Sequence, residues 1–358
     1  MQTEELKRAA ENGDAVAQYN LAVRLGEGTD AEKDAVAAAF WLEQAARKGH
    51  ISAQYNLALC YETGEGVKKD AKKAAYWYEQ AARQGDADAQ YNLALSFENG
   101  EGVRKDAKKA VQWYKKAAER GLKEAQYNLA ICYETGEGVK KDAKKSLFWY
   151  KKTAAQGDGD LCYKIGLRYE RGDNVRRDMK RAAKWYERAA QFGCREAFFA
   201  IAECYDTGRG VEKNSRAAFS WYLFAAERGD ADAQFIVGAC YSAGRGCEKD
   251  VFEGARWYKK AAERGSAEAM LSLGYCYHGG DGVPRIAEKE AYWYKRAAES
   301  GNAEAQYLYA LCLEAGELVP QDFVQAIKWY EKAAAQGNGE AKEALAKRKI
   351  YKLSLIHI

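Results

Sequence analysis

The chain has 358 residues, 47% of them hydrophobic, with only two prolines and a net charge of +4 left by 56 basic and 52 acidic side chains. Such a balance points by itself to neither nucleic acid nor membrane, and no stretch is apolar enough to cross a bilayer. The length would ordinarily mean two or three domains. However, tryptophan recurs every 36 residues, at 41, 77, 113, 149, 185, 221, 257, 293 and 329, so one unit is repeated nine times and length no longer counts domains.

Residues 1–12 come first. Leu6, Ala9 and Ala10 keep the register of a second helix while Glu5 takes the tryptophan place, which predicts a polar N-terminal capping half-repeat. The same opening is charged throughout and lacks the apolar segment of a secretory signal, so the expected location is cytoplasmic; an already cleaved exported form would read the same. Nine repeats follow over 13–336, starting at Gly13, Gly49, Gly85, Gly121, Gly157, Gly193, Gly229, Gly265 and Gly301 without insertion or deletion.

Within the second repeat, Ala53, Leu57, Ala58, Cys60 and Tyr61 have helical spacing. The second repeat position is often Asp or Asn (Asp14, Asp86, Asp158, Asp230, Asn302), which can cap that helix. Gly64 suits a left-handed stop, and the next glycine, Gly66, becomes Asn174 in repeat five, the next-best residue for positive φ. Asp70 caps a second helix whose stripe is Ala74, Trp77, Tyr78, Ala81 and Ala82. Position 34 is Ala in all nine copies, which allows close helix approach. A partial tenth repeat from Gly337 predicts a capping helix over 337–349, and 350–358 leave the pattern as a tail expected to be non-native.

The motif A-x-A-Q-Y-N-L-A-x-x-Y-E-x-G-x-G-V-x-K-D-x-K-K-A-x-x-W-Y-x-x-A-A-x-x-G resembles the Sel-one-like repeat, a relative of the tetratricopeptide repeat, over roughly residues 6 to 348. The resemblance implies an all-α solenoid, a right-handed superhelix of antiparallel helix pairs whose first helices line a concave face. It also implies a non-enzymatic scaffold that assembles protein complexes, with no cofactor.

Candidates for chemistry are few. The histidines, His50, His278 and His357, occupy unrelated repeat positions and form no catalytic or metal pattern. The Gly-Glu-Gly turns follow helices, whereas a phosphate loop follows a strand. Six of nine cysteines share position 12 (Cys60, Cys132, Cys204, Cys240, Cys276, Cys312), with Arg24, Ser96 and Arg168 there in other repeats. Stacked equivalents lie about 8–10 Å or more apart, beyond the about 7 Å that a disulfide spans. Reduced core thiols are expected. The secreted, cysteine-rich branch of the resembled family bridges position 34 to position 6 of the next repeat. Here those places hold Ala and usually Gln (Gln18, Gln54, Gln90, Gln126), so an exported, hydrolase-like protein is the weakest alternative.

Two charge stripes remain. On the first helices, position 14 holds Glu62, Glu98, Glu134, Glu170, Asp206 and Glu314, and position 4 holds Asp88, Glu124, Asp160, Glu196, Asp232, Glu268 and Glu304. Between them run Tyr19, Tyr55, Tyr91, Tyr127 and Tyr163, continued by Phe199 and Phe235. An acidic, ring-lined groove suits a basic or extended peptide, because carboxylates steer it and rigid rings add contact area at low entropic cost. The bland reading is a solvated surface with partly buried tyrosines. The second stripe opens the second helices of repeats two to five: Lys72 and Lys73, Lys108 and Lys109, Lys144 and Lys145, Lys180 and Arg181. It is either a soluble outer face or a patch for nucleic acid or an anionic membrane. The expectation is a monomer that binds protein partners.

Overall fold

The repeat's punctuation becomes two helices at each turn of the pattern. The computed structural model describes residues 3–28 and 33–356. Every element is helical among the described residues: α1 (Thr3–Glu11), α2 (Ala15–Glu27), α3 (Ala35–Arg47), α4 (Ile51–Thr63), α5 (Ala71–Arg83), α6 (Ala87–Asn99), α7 (Ala107–Glu119), α8 (Lys123–Thr135), α9 (Ala143–Ala154) and α10 (Gly159–Arg171). The remainder are α11 (Met179–Gln191), α12 (Arg195–Thr207), α13 (Ser215–Glu227), α14 (Ala231–Ala243), α15 (Val251–Glu263), α16 (Ala267–Gly279), α17 (Ala287–Glu299), α18 (Ala303–Ala315), α19 (Phe323–Ala335) and α20 (Gly339–Ile356). The even-numbered helices from α2 to α18 are the first helices of the nine repeats. The α20 helix runs into the off-pattern tail, whose last two residues, with His357, lie outside the described residues. No described helix is long and apolar enough to cross a membrane.

The helix starts follow the capping logic. Asp14 accepts from the Val16 and Ala17 amides, and Asp86, Asp158, Asp230 and Asn302 each accept from the amide three residues on. Asp70 caps α5 in the same way through Lys72 and Lys73. At Gly66 (φ 71°) the backbone is left-handed, and an added Cβ would overlap the Ala35 carbonyl of the preceding repeat. Asn174 takes this conformation at φ 57°.

Residues 1–177 and 178–358 form two compact units, with the boundary between the two helices of repeat five. Inside each unit consecutive helices pack together, and short connections make neighbours antiparallel. The cores are continuous across repeats, built from Ala53, Leu57, Ala58 and Tyr78 and their equivalents. The deepest aromatic is the tyrosine after the tryptophan: Tyr78 is 1% exposed, while Trp77 is only half-buried. Trp149, Trp257 and Trp293 are buried, and Lys or Arg three residues on covers the ring in several repeats, as Lys116 covers Trp113 at 3.8 Å from the centroid.

The position that is cysteine in the cysteine-rich branch is a hydrogen-bonding ladder here. Gln18, Gln54, Gln90, Gln126, Gln234 and Gln306 donate Nε2 to the position-34 carbonyl before them, at 3.0–3.2 Å. Cys162 points its Sγ at the Ala154 carbonyl, 3.6 Å away. Cys60, Cys132, Cys240, Cys247, Cys276 and Cys312 are free thiols.

Candidate partner-binding face

The acidic and aromatic rows lie together on the first helices, and the structure assigns them different jobs. In repeats two, three, four and nine the tyrosine at position 30 donates its hydroxyl to the glutamate at position 14: Tyr78 to Glu62, Tyr114 to Glu98, Tyr150 to Glu134 at 2.7 Å and Tyr330 to Glu314 at 2.7 Å. Burial first, and then the carboxylate, pushes these hydroxyls far above the ordinary tyrosine range. Asp206 lies beside Tyr222 and 3.6 Å from Arg245. The position-14 carboxylates therefore belong in large part to the helix-pair core; Glu170 also has a partner within the protein.

The tyrosines at position 7 lean on these same position-30 rings. Tyr55 meets Tyr78 at 5.9 Å, Tyr91 meets Tyr114 at 5.8 Å and Tyr127 meets Tyr150 at 5.6 Å between centroids. Tyr127 is exposed, whereas Tyr55, Tyr91 and Tyr163 are half-buried. Asp88 and Glu124, at position 4, stay exposed, and neither has an ion-pair partner among the described residues. Partial burial, then Asp86 and then Glu124, raise the Asp88 carboxyl above its ordinary range. Asp88 also raises Tyr55, after burial, and Glu124 does the same for Tyr91.

The basic stripe divides too. Lys73, Lys109 and Lys145 lie over Tyr61, Phe97 and Tyr133, 5.0–5.4 Å from the ring centroids. Lys145 and Arg181 also reach their capping residues, Asp142 and Asp178, at 3.7 and 3.2 Å. Lys72, Lys108, Lys144 and Lys180 are exposed and unpaired among the described residues. His50 caps α4, accepting from the Ala53 amide at 3.2 Å, and stacks on Tyr19.

The row-by-row reading passed over three outliers that the structure brings together. Position 14 is His278 in repeat eight, position 26 is Glu290 where other repeats carry Ala, Ser or Gly, and position 18 of repeat nine is Leu318. His278 Nδ1 lies 2.9 Å from Glu290 Oε1, and Glu290 is 6% exposed. Reading each row for its exceptions would have found them.

The Sel1 repeat model matches nine times, at residues 15–50, 51–86, 87–122, 123–158, 160–192, 196–230, 231–266, 267–302 and 303–338. Among solved structures, the chain is similar to c5321, a protective antigen of uropathogenic Escherichia coli displaying an SLR fold, with 31% identity over 99% of this chain and 83% of that one and a TM-score of 0.64. It is also similar to a Sel1 repeat protein from Oxalobacter formigenes, with 28% identity over 97% and 90% of the two chains and a TM-score of 0.54. None of the curated proteins compared with the chain matches it.

Proposed function

Because the chain belongs to the Sel1 repeat family, whose members typically mediate protein–protein interactions on a non-catalytic scaffold, we propose that it is an adaptor that captures a basic, extended protein segment along its first helices. The observation that carries this reading is the pair Asp88 and Glu124, exposed at the same position of successive repeats with no ion-pair partner among the described residues, on the helices that carry Tyr91 and Tyr127. Exposed like charges without ion-pair partners attract a cationic partner, and the rings supply contact area. The protein works as a monomer and needs no cofactor. Ala at position 34 and, in most repeats, Gln at position 6 leave no partners for the bridges of the cysteine-rich branch, which favours this reading over an exported one.

The reading is tested with the intact chain as bait. Asp88→Lys with Glu124→Lys should cut partner capture about tenfold or more, the loss of about 1.4 kcal/mol or more. These positions are better choices than Glu98 or Glu134, whose carboxylates hold core tyrosines. Lys72→Glu, Lys108→Glu and Lys144→Glu should leave capture unchanged. The opposite ranking, with binding to nucleic acid or anionic lipid that falls steeply with salt, would favour the basic stripe and overturn the proposal.

A further inference from the structure

Three cavities of about 330–390 Å³ open at one and the same place in three different repeats, between the helix pair of one repeat and the first helix of the next. They belong to repeats one, seven and eight. These are the repeats in which position 14 is not acidic: Gly26, Ser242 and His278 stand there. In two of the repeats that keep the acid, an arginine from position 12 of the following repeat occupies this space. Arg168 donates to Glu134 at 2.5 Å with its guanidinium 4.8 Å from the centroid of Tyr150. Arg348 donates Nε to Glu314 at 3.0 Å and lies 4.4 Å from the centroid of Tyr330. The fold thus has a standard berth for a guanidinium, between a carboxylate and the face of the position-30 tyrosine.

Repeat eight keeps the berth and lacks the occupant. Tyr294 is in place, and the carboxylate comes from Glu290 on the second helix instead of from position 14. Position 12 of the next repeat is the small Cys312, which leaves a cavity of about 380 Å³ above the two groups. Burial and then the Glu290 charge push up both the Cys312 thiol, to about 12, and the Tyr294 hydroxyl, which sets both groups beside that carboxylate. A carboxylate offers about four acceptor positions, and a buried one is costly unless paired and hydrogen-bonded. Glu290 has one hydrogen-bond partner among the described residues, His278, whose side chain is 59% exposed and able to swing aside. The other charged groups facing the cavity are Arg285 and Glu317, both on exposed turns at its mouth, and the Tyr275 hydroxyl is held by Glu304 at 2.5 Å.

We propose that the repeat-eight cavity is an arginine-specific pocket, in which a guanidinium from the bound partner seats on Glu290 and the Tyr294 ring as Arg168 and Arg348 do within the chain. Guanidinium–carboxylate pairing is charge-assisted and bidentate, and the ring face adds a cation–π contact. The pocket lies on the first-helix side and rests on the adaptor reading for its biological occupant, but it can be tested without the natural partner.

The test uses the full chain with leucine methyl groups labelled for NMR, because Leu308, Leu311 and Leu318 line the cavity. The probe is acetyl-Gly-Arg-Gly-amide, with the uncharged citrulline peptide as control. The arginine peptide should shift these methyls and saturate with a Kd of about 1 mM, and the citrulline peptide should bind at least about tenfold more weakly. Glu290→Ala installs the residue that six other repeats carry at this position, so folding survives, and it should weaken binding about tenfold or more. Cys312→Arg should fill the berth from within and abolish binding. Absence of shifts at peptide concentrations well above 1 mM, equal binding of the citrulline peptide, or undiminished affinity in folded Glu290→Ala would each overturn the pocket. If Cys312→Arg fails to fold, Glu290→Ala alone decides. Partner capture that survives Asp88→Lys and Glu124→Lys alongside intact peptide binding sinks the adaptor face and not the pocket; the converse pattern sinks the pocket alone.

Discussion

At the scale of single residues, the glutamine ladder shows how one position decides whether its neighbour is satisfied. Gln54, Gln126 and Gln306 receive a hydrogen bond at Oε1 from Gln84, Gln156 and Gln336, at 2.8–3.0 Å. Gln18, Gln90 and Gln234 have buried Oε1 atoms without a partner, and the corresponding residues there are Lys48, Arg120 and Arg264. Those longer cations lie over the glycine that opens the repeat, as the Arg120 guanidinium lies over Gly85 and that of Arg264 over Gly229, and so do not reach the amide oxygen. Satisfying a buried acceptor contributes about 1 kcal/mol. Arg120→Gln and Arg264→Gln should therefore each raise stability by about that amount, read as a higher denaturant midpoint at unchanged m-value. No gain in either would mean that water already serves those oxygens.

At the scale of the element, the helices were legible because caps, glycine stops and apolar spacing are local signals, such as Asp70, Gly64 and the run Ala53-Leu57-Ala58. The site was legible only in part. The bond from Tyr78 to Glu62 joins two helices of a pair, so neither helix's own periodicity reveals that Glu62 is occupied. Only the paired columns do: repeat one lacks both members, with Gly26 opposite Leu42. The exposed carboxylates of Asp88 and Glu124 have no such tie among the described residues, and this makes their repulsion measurable. The folded state raises the carboxyl of Asp88, so protonation favours the fold and stability falls as pH rises through that raised value. Asp88→Asn should raise stability at neutral pH by no more than about 0.5 kcal/mol, the scale of an exposed charge interaction, and the gain should vanish at a pH low enough to protonate the wild-type group. Destabilisation at neutral pH would mean that Asp88 is paired and that the acidic field is not available to a partner.

At the scale of the whole molecule, a repeat array is held by nearest-neighbour interfaces, and its ends depend on the last of them. The α20 helix docks on the ninth repeat through Ala341, Ala344 and Leu345 and through Arg348, which reaches both Glu314 and the Tyr330 hydroxyl, the latter at 3.4 Å. Arg348 holds the carboxyl of Glu314 below its usual range, with burial opposing and Tyr330 assisting. A depressed carboxyl contributes stability above its unfolded value, about pH 4.3, and loses it as pH falls from there through the folded value. Arg348→Ala at neutral pH should speed amide hydrogen exchange across 339–348 by about tenfold, equivalent to about 1.4 kcal/mol of local stability. The amides of α19 and of the earlier repeats should keep their protection, because opening at a terminal interface costs only that interface. In the wild type the same helix should be the first part of the second unit to lose protection on acidification, once rates are corrected for the intrinsic pH dependence of exchange. Uniform loss across α12 to α20 in the variant would show that the unit opens all at once, and the picture of repeats held by neighbours alone would not apply to it.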